Sequence, residues 1–237
     1  MRSQWHIRQT SPEHDQWYQN LVALNELTTH WLMELQATRP SYVMTRGLSL
    51  KGFGNILILD SLHEKKLEDF LDDTQPEDML GRLEETIWEV QSRTLATLLE
   101  KASASSHQAL ISHLEQVSWK QGRACAESRW KNLPALGLKS LGETLLALHH
   151  SPLLGYPHRR GYLIKRAVDA EIEIELRSCP HQIRSQYPEI EPIADPLCLL
   201  HFQWIRGYAY ALNTRTHIEY LAGTPRCKLR WSLMQVL

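Results

Sequence analysis

From Ala170 to Arg177 the chain alternates residue by residue: Ala170, Ile172, Ile174 and Leu176 interleave with Glu171, Glu173, Glu175 and Arg177. A period of two puts the apolar residues on one face of a strand and the charged residues on the other. Such a strand, read over Leu163 to Leu176 and ended by Pro180, needs an apolar layer against one face. It also needs basic neighbours on the other, because glutamates lined up on one face repel one another.

Upstream the period is helical. Ser11-Pro12-Glu13 opens a first helix, with Ser11 as cap and Pro12 at the first helical position. Leu21, Leu24, Leu27, Trp31 and Leu35 share one face, and Arg39-Pro40 ends it. Tyr42 to Asp60 reads as turns leading into a short buried strand at Ile56-Leu57-Ile58-Leu59, with an amphipathic segment near Leu67 to Leu71. Thr74 is expected to cap a second helix in a capping box with Glu77. Its face carries Leu80, Leu83, Ile87, Val90, Thr94, Leu95 and Leu98. After a small-residue break at Lys101 to Ser106, a third helix spans about Gln108 to Trp130 and a fourth about Leu138 to His149.

Beyond Pro180 a short helix or turn at His181 to Glu189 is followed by the prolines 188, 192 and 196. Leu197 to Leu212 reads as an aromatic helix, and Thr216 to Leu221 and Arg226 to Leu233 as a terminal hairpin around Gly223-Thr224-Pro225. The expectation is an α+β fold in which long amino-terminal helices pack against a carboxy-terminal antiparallel sheet with a short helical insertion. A mainly helical region, 1–150, joins an α+β region, 151–237, and one core can span both.

Composition narrows the function. With 26 basic and 27 acidic residues the net charge is −1, which disfavours a general nucleic-acid binder. No segment approaches the roughly 20 apolar residues that cross a bilayer. The polar stretch Met1 to Thr10 has no apolar signal core, so a cytoplasmic chain with reduced thiols is expected. Lys51-Gly52-Phe53-Gly54 lacks the glycines and the Lys-Ser/Thr of a phosphate loop. The helical faces exceed what a small sheet covers, which suggests a homodimer through the amino-terminal helices. The Leu80 to Leu98 face is the candidate interface if the chain is a helical interaction protein.

The chemistry concentrates near the end. Cys179 closes the charged strand, Cys198 begins the aromatic helix and Cys227 opens the last strand. Termini of this kind can meet at one end of a sheet without any short motif. A thiolate there attacks an electrophilic carbon when a neighbouring group lowers its pKa, with His181, His201 and Asp195 as proton carriers. Two or three thiolates with histidine would alternatively hold zinc or another thiolate-bound metal. Buried cysteines also serve simply as small apolar groups, and Asp195 as a helix cap. Trp204 and Tyr208, four apart, line an aromatic pocket or pack in the core. Arg159 and Arg160 offer forks for a carboxylate. Around Cys125, Gly122, Ala124 and Ala126 make a small surface that permits close packing and buries the thiol, or alternatively lets a ligand or partner helix approach the backbone at Gly122.

Taken together, the glutamate-rich strand ending at Cys179-Pro180, then Asp195-Pro196-Leu197-Cys198, then Gly223-Thr224-Pro225-Arg226-Cys227-Lys228-Leu229-Arg230-Trp231 resemble the L-2-amino-thiazoline-4-carboxylic acid hydrolase-like family. That family looks related to vinyl-reductase-type small-ligand-binding domains. The match covers about residues 165 to 233. The resemblance implies a compact α+β fold and hydrolysis of a small cyclic amidine or thiazoline carboxylate by addition of water at C2. Cys198 or Cys179 would sit beside that carbon, and His201 or His181 would move the proton. Arg159 or Arg160 would hold the carboxylate, with Trp204, Tyr208 and Cys227 lining the substrate. No cofactor is required by it. The alternative, a non-catalytic small-ligand- or metal-binding sensor or carrier module, uses the same pocket without turnover.

Overall fold

The computed structural model describes residues 10–38, 62, 66–70, 75–102, 104–130, 140–153, 162–168, 171–176, 193–221 and 227–233. Three long helices come first: α1 (Pro12–Thr38), α2 (Pro76–Lys101) and α3 (Ala104–Arg129). A short α4 (Leu141–His149) precedes the hairpin of β1 (Tyr162–Val168) and β2 (Glu171–Leu176). Helix α5 (Ala194–Leu212) is inserted before β3 (Thr216–Leu221) and β4 (Lys228–Leu233). The sheet order is β1-β2-β4-β3, with every neighbouring pair antiparallel. The fold is α+β.

Local chemistry explains the boundaries. At the start of α1 the Ser11 hydroxyl accepts from the His14 backbone N–H at 3.3 Å, as a cap should. Thr74, expected to cap α2 in a capping box with Glu77, lies outside the described residues. Gln75 is the cap residue because Pro76 takes the first helical position, and Glu77 pairs with His14 at 2.9 Å. A capping box opens α4, where Ser140 and Glu143 exchange two 3.1 Å hydrogen bonds and move the expected start from Leu138 to Leu141. The strand read over Leu163 to Leu176 is two strands, since the chain reverses between Val168 and Glu171. The expected strand at Ile56 to Leu59 lies outside the described residues.

The charged face of β2 finds the basic neighbours it needs. Lys228 meets Glu173 at 3.1 Å, Lys165 meets Glu175 at 3.4 Å and Arg166 meets Glu171 at 3.4 Å. Arg230 reaches Glu219 at 3.2 Å and Glu173 at 3.8 Å. On the other face Ile172, Ile174, Leu176, Ile218, Leu229 and Trp231 are buried in one cluster with α5 and with Leu27, Trp31 and Leu114 of the long helices. One core therefore unites residues from both halves of the chain.

Two glycines set the closest helix contact. A Cβ on Gly122 of α3 would collide with the Trp204 carbonyl, and a Cβ on Gly207 of α5 would collide with the Trp119 carbonyl. The small surface around Gly122 thus receives a helix of the same chain, backbone against backbone.

The Leu80 to Leu98 face lies inside the chain. Leu80, Ile87 and Val90 pack with Trp17, Tyr18, Leu21 and Leu62, while Leu95 and Leu98 join the main core. The double variant Leu83→Glu/Val90→Glu is accordingly expected to lose about 3–5 kcal/mol of stability by burying charge. It should unfold, by circular dichroism and light scattering, rather than dissociate into folded monomers.

Candidate functional site

Cys198 lies just beyond the first turn of α5, and Cys227 immediately precedes β4. The Leu176 N–H donates to the Cys227 carbonyl at 2.9 Å, tying the end of β2 to the start of the last strand. These restraints bring the two sulfurs 3.6 Å apart, with no disulfide between them. Both side chains are buried, Cys198 at 3% and Cys227 at 0% exposure.

Tyr220 completes the group. It stands on β3 opposite Leu229, and its hydroxyl lies 3.1 Å from Cys198 Sγ and 3.2 Å from Cys227 Sγ. One hydroxyl proton serves one sulfur. The arrangement that satisfies both contacts has Tyr220 O–H donating to Cys198 and the Cys227 thiol donating to the Tyr220 oxygen. Burial first, and the neighbouring Cys198 second, push the Tyr220 pKa well above its ordinary value, so the phenol keeps its proton. Phe202 holds the ring from the other side, with centroids 5.3 Å apart and planes tilted by 34°. The Arg206 guanidinium lies 5.6 Å from the centre of Phe202.

His201 is placed differently. It is buried, its Nε2 lies 3.1 Å from Gln91 Oε1, and its ring stands edge-on to Trp88 at 4.9 Å. The Gln91 amide nitrogen donates to the Leu24 carbonyl at 2.9 Å, which fixes the amide so that its oxygen faces His201. His201 Nε2 therefore carries the proton, and the trio joins α1, α2 and α5. Asp195 is exposed in the first turn of α5, where Ile193 takes the cap position, so the capping role expected for Asp195 is not realised. Its carboxylate instead faces the positive end of the helix dipole.

Trp204 and Tyr208 are core residues rather than pocket walls, at 1% and 0% exposure, and their rings stack at 5.1 Å. Trp204 donates to Gln121, and the Tyr208 oxygen accepts from Trp130 Nε1 at 3.0 Å. Burial pushes the Tyr208 pKa up to about 12 and that of Cys125 up to about 11, which leaves Cys125 an inert thiol at neutral pH. Cys179, His181, Arg159 and Arg160 lie outside the described residues.

Sequence reasoning missed Tyr220 and Gln91. Tyr220 shares the parity of Thr216 and Ile218, whose side chains are buried, and that alternation could have pointed its hydroxyl at the thiols. Gln91 gave no local signal, since its partners are 67 and 110 residues away in sequence.

Among the described residues, no cluster of three or more His, Cys, Asp or Glu side chains could hold a metal ion, and no helix is long and apolar enough to cross a membrane. Fold and site together define an α+β protein with a buried, paired-thiol centre under a tyrosine hydroxyl. Comparison with protein-family models, curated proteins and solved structures finds no match for the chain.

Proposed function

We propose that the chain is a non-catalytic binding module of the thiazoline-hydrolase-like and vinyl-reductase-type kind, in which Cys198 and Cys227 bind a soft metal ion, zinc foremost. The 3.6 Å separation of the sulfurs carries this reading. Two thiolates, each about 2.3 Å from a tetrahedral ion, stand about 3.8 Å apart, so the pair has the spacing of half of such a shell. When bound, the metal would cross-link the start of α5 to the β3–β4 hairpin and add its binding energy to folding. The Tyr220 hydroxyl donates to Cys198, a hydrogen bond that a metal-bound sulfur would keep. Hydrolysis, which the resemblance implies, requires water and substrate to reach a sulfur. The enclosure of both thiols favours holding over turnover.

The test is metal analysis of anaerobically purified protein, with cadmium titrated against the ultraviolet thiolate-to-metal band. About one ion per chain is expected, lost in Cys198→Ser and in Cys227→Ser, and removing it should lower the melting temperature. A reduced protein that holds no zinc and develops no cadmium band overturns the reading. Turnover of 2-amino-thiazoline-4-carboxylate would establish the hydrolase instead.

A further inference from the structure

Gly122 and Gly207 let α3 and α5 meet backbone to backbone. Beside the contact lies a cleft of about 310 Å³, lined by Glu115, Gln116, Trp119 and Lys120 of α3 and by Gln203 and Arg206 of α5. Trp119 is half-buried. Its ring touches Tyr210 at 5.5 Å with a 50° tilt, and the Arg123 guanidinium stands 6.0 Å from its centre.

The cations of this cleft stand outside the ion pairs that several other arginines make. Arg93, Arg123, Arg166 and Arg230 each pair with a glutamate. Among the described residues, Lys120 and Arg206 have no carboxylate at ion-pair distance. Arg206 spends one N–H on Gln203 Oε1, at 3.2 Å, and rests on Phe202, leaving further donors of its fork for a ligand. Glu115 adds one negative charge to the same cleft. Lys120, Arg206 and ionised Glu115 sum to a single positive charge, so one monoanion brings the group to neutrality and a doubly charged phosphate overshoots it.

The geometry points to this cleft as a binding site for a small aromatic carboxylate, its ring against Trp119 and its carboxylate on Arg206 and Lys120. Trp119 supplies an aromatic wall and the Arg206 guanidinium fork the bidentate contact. The lining is one aromatic wall among polar and charged side chains, and the volume lies at the small end of small-ligand sites. The site is independent of the thiol pair, and its test does not depend on bound metal.

The probe is 2-naphthoate, titrated calorimetrically and by ligand-observed NMR, with 2-naphthalenemethanol and cyclohexanecarboxylate as the neutral and non-aromatic comparisons. Saturable binding with a Kd of about 1 mM or tighter is expected, and both comparison compounds should bind about tenfold more weakly. Arg206→Gln should weaken naphthoate binding about tenfold and Lys120→Gln about threefold, while Glu115→Gln should tighten it. Lys120 is exposed, so its variant reports on binding without risk to the fold. Absence of saturation by the wild type at about 10 mM, or unchanged affinity in Lys120→Gln together with Glu115→Gln, overturns the assignment.

Discussion

Gly207→Ala is expected to destabilise the protein by about 3 kcal/mol or more, and Gly207→Val to leave no folded material. The sign is informative, because alanine in a helix interior is ordinarily worth about 0.5–1 kcal/mol more than glycine. Here the added Cβ meets the Trp119 carbonyl and the neighbouring Arg123 backbone, neither of which can rotate aside. Gly122→Ala faces the Trp204 carbonyl in the same way. Gly142→Ala is the control: its Cβ would meet nothing nearer than the Ser140 hydroxyl at 4.0 Å, so stability should hold or rise slightly. Urea midpoints by circular dichroism compare the three. A Gly207→Ala midpoint equal to the wild type would mean that α3 and α5 do not touch through their main chains.

Gln91→Leu should cost about 2–3 kcal/mol although it conserves volume, because it leaves the buried His201 Nε2–H without its acceptor. The Leu24 carbonyl loses a second donor at the same time. Replacing both partners removes the orphan, so Gln91→Leu/His201→Leu is expected to be more stable than the sum of the two single changes. Additive single effects would show that the two side chains do not act on each other. The cycle also bears on chemistry: a histidine committed to joining helices is poorly placed to shuttle protons, and His201→Leu should affect folding more than binding at the thiols.

Much of the architecture was legible because its causes are local. Ser11-Pro12 marks the start of α1 by cap and ring geometry, and the glutamates of β2 announce that basic strands must flank them, as Lys165, Arg166, Lys228 and Arg230 do. The positions of Cys198 and Cys227 near element ends allowed their meeting without establishing it, because nothing local in the sequence sets the distance between two elements. The reversal after Val168 was not legible, because residues on both sides of it favour extended chain. Nor did the motif around Thr74 point to Gln75, which takes the cap position of α2. Tyr220 and Gln91 act through partners brought near by the tertiary fold, and no spacing rule reaches that far. Cys179, His181, Arg159 and Arg160 lie outside the described residues.

Main chain resting on main chain at Gly122 and Gly207 has a mechanical meaning. A slide of either helix by one position would drive a Cβ-bearing residue into a carbonyl, so the pair is ratcheted against axial travel. The two helices behave as one beam. Cys198 and Arg206, both carried by α5, keep a constant spacing whatever occupies either place.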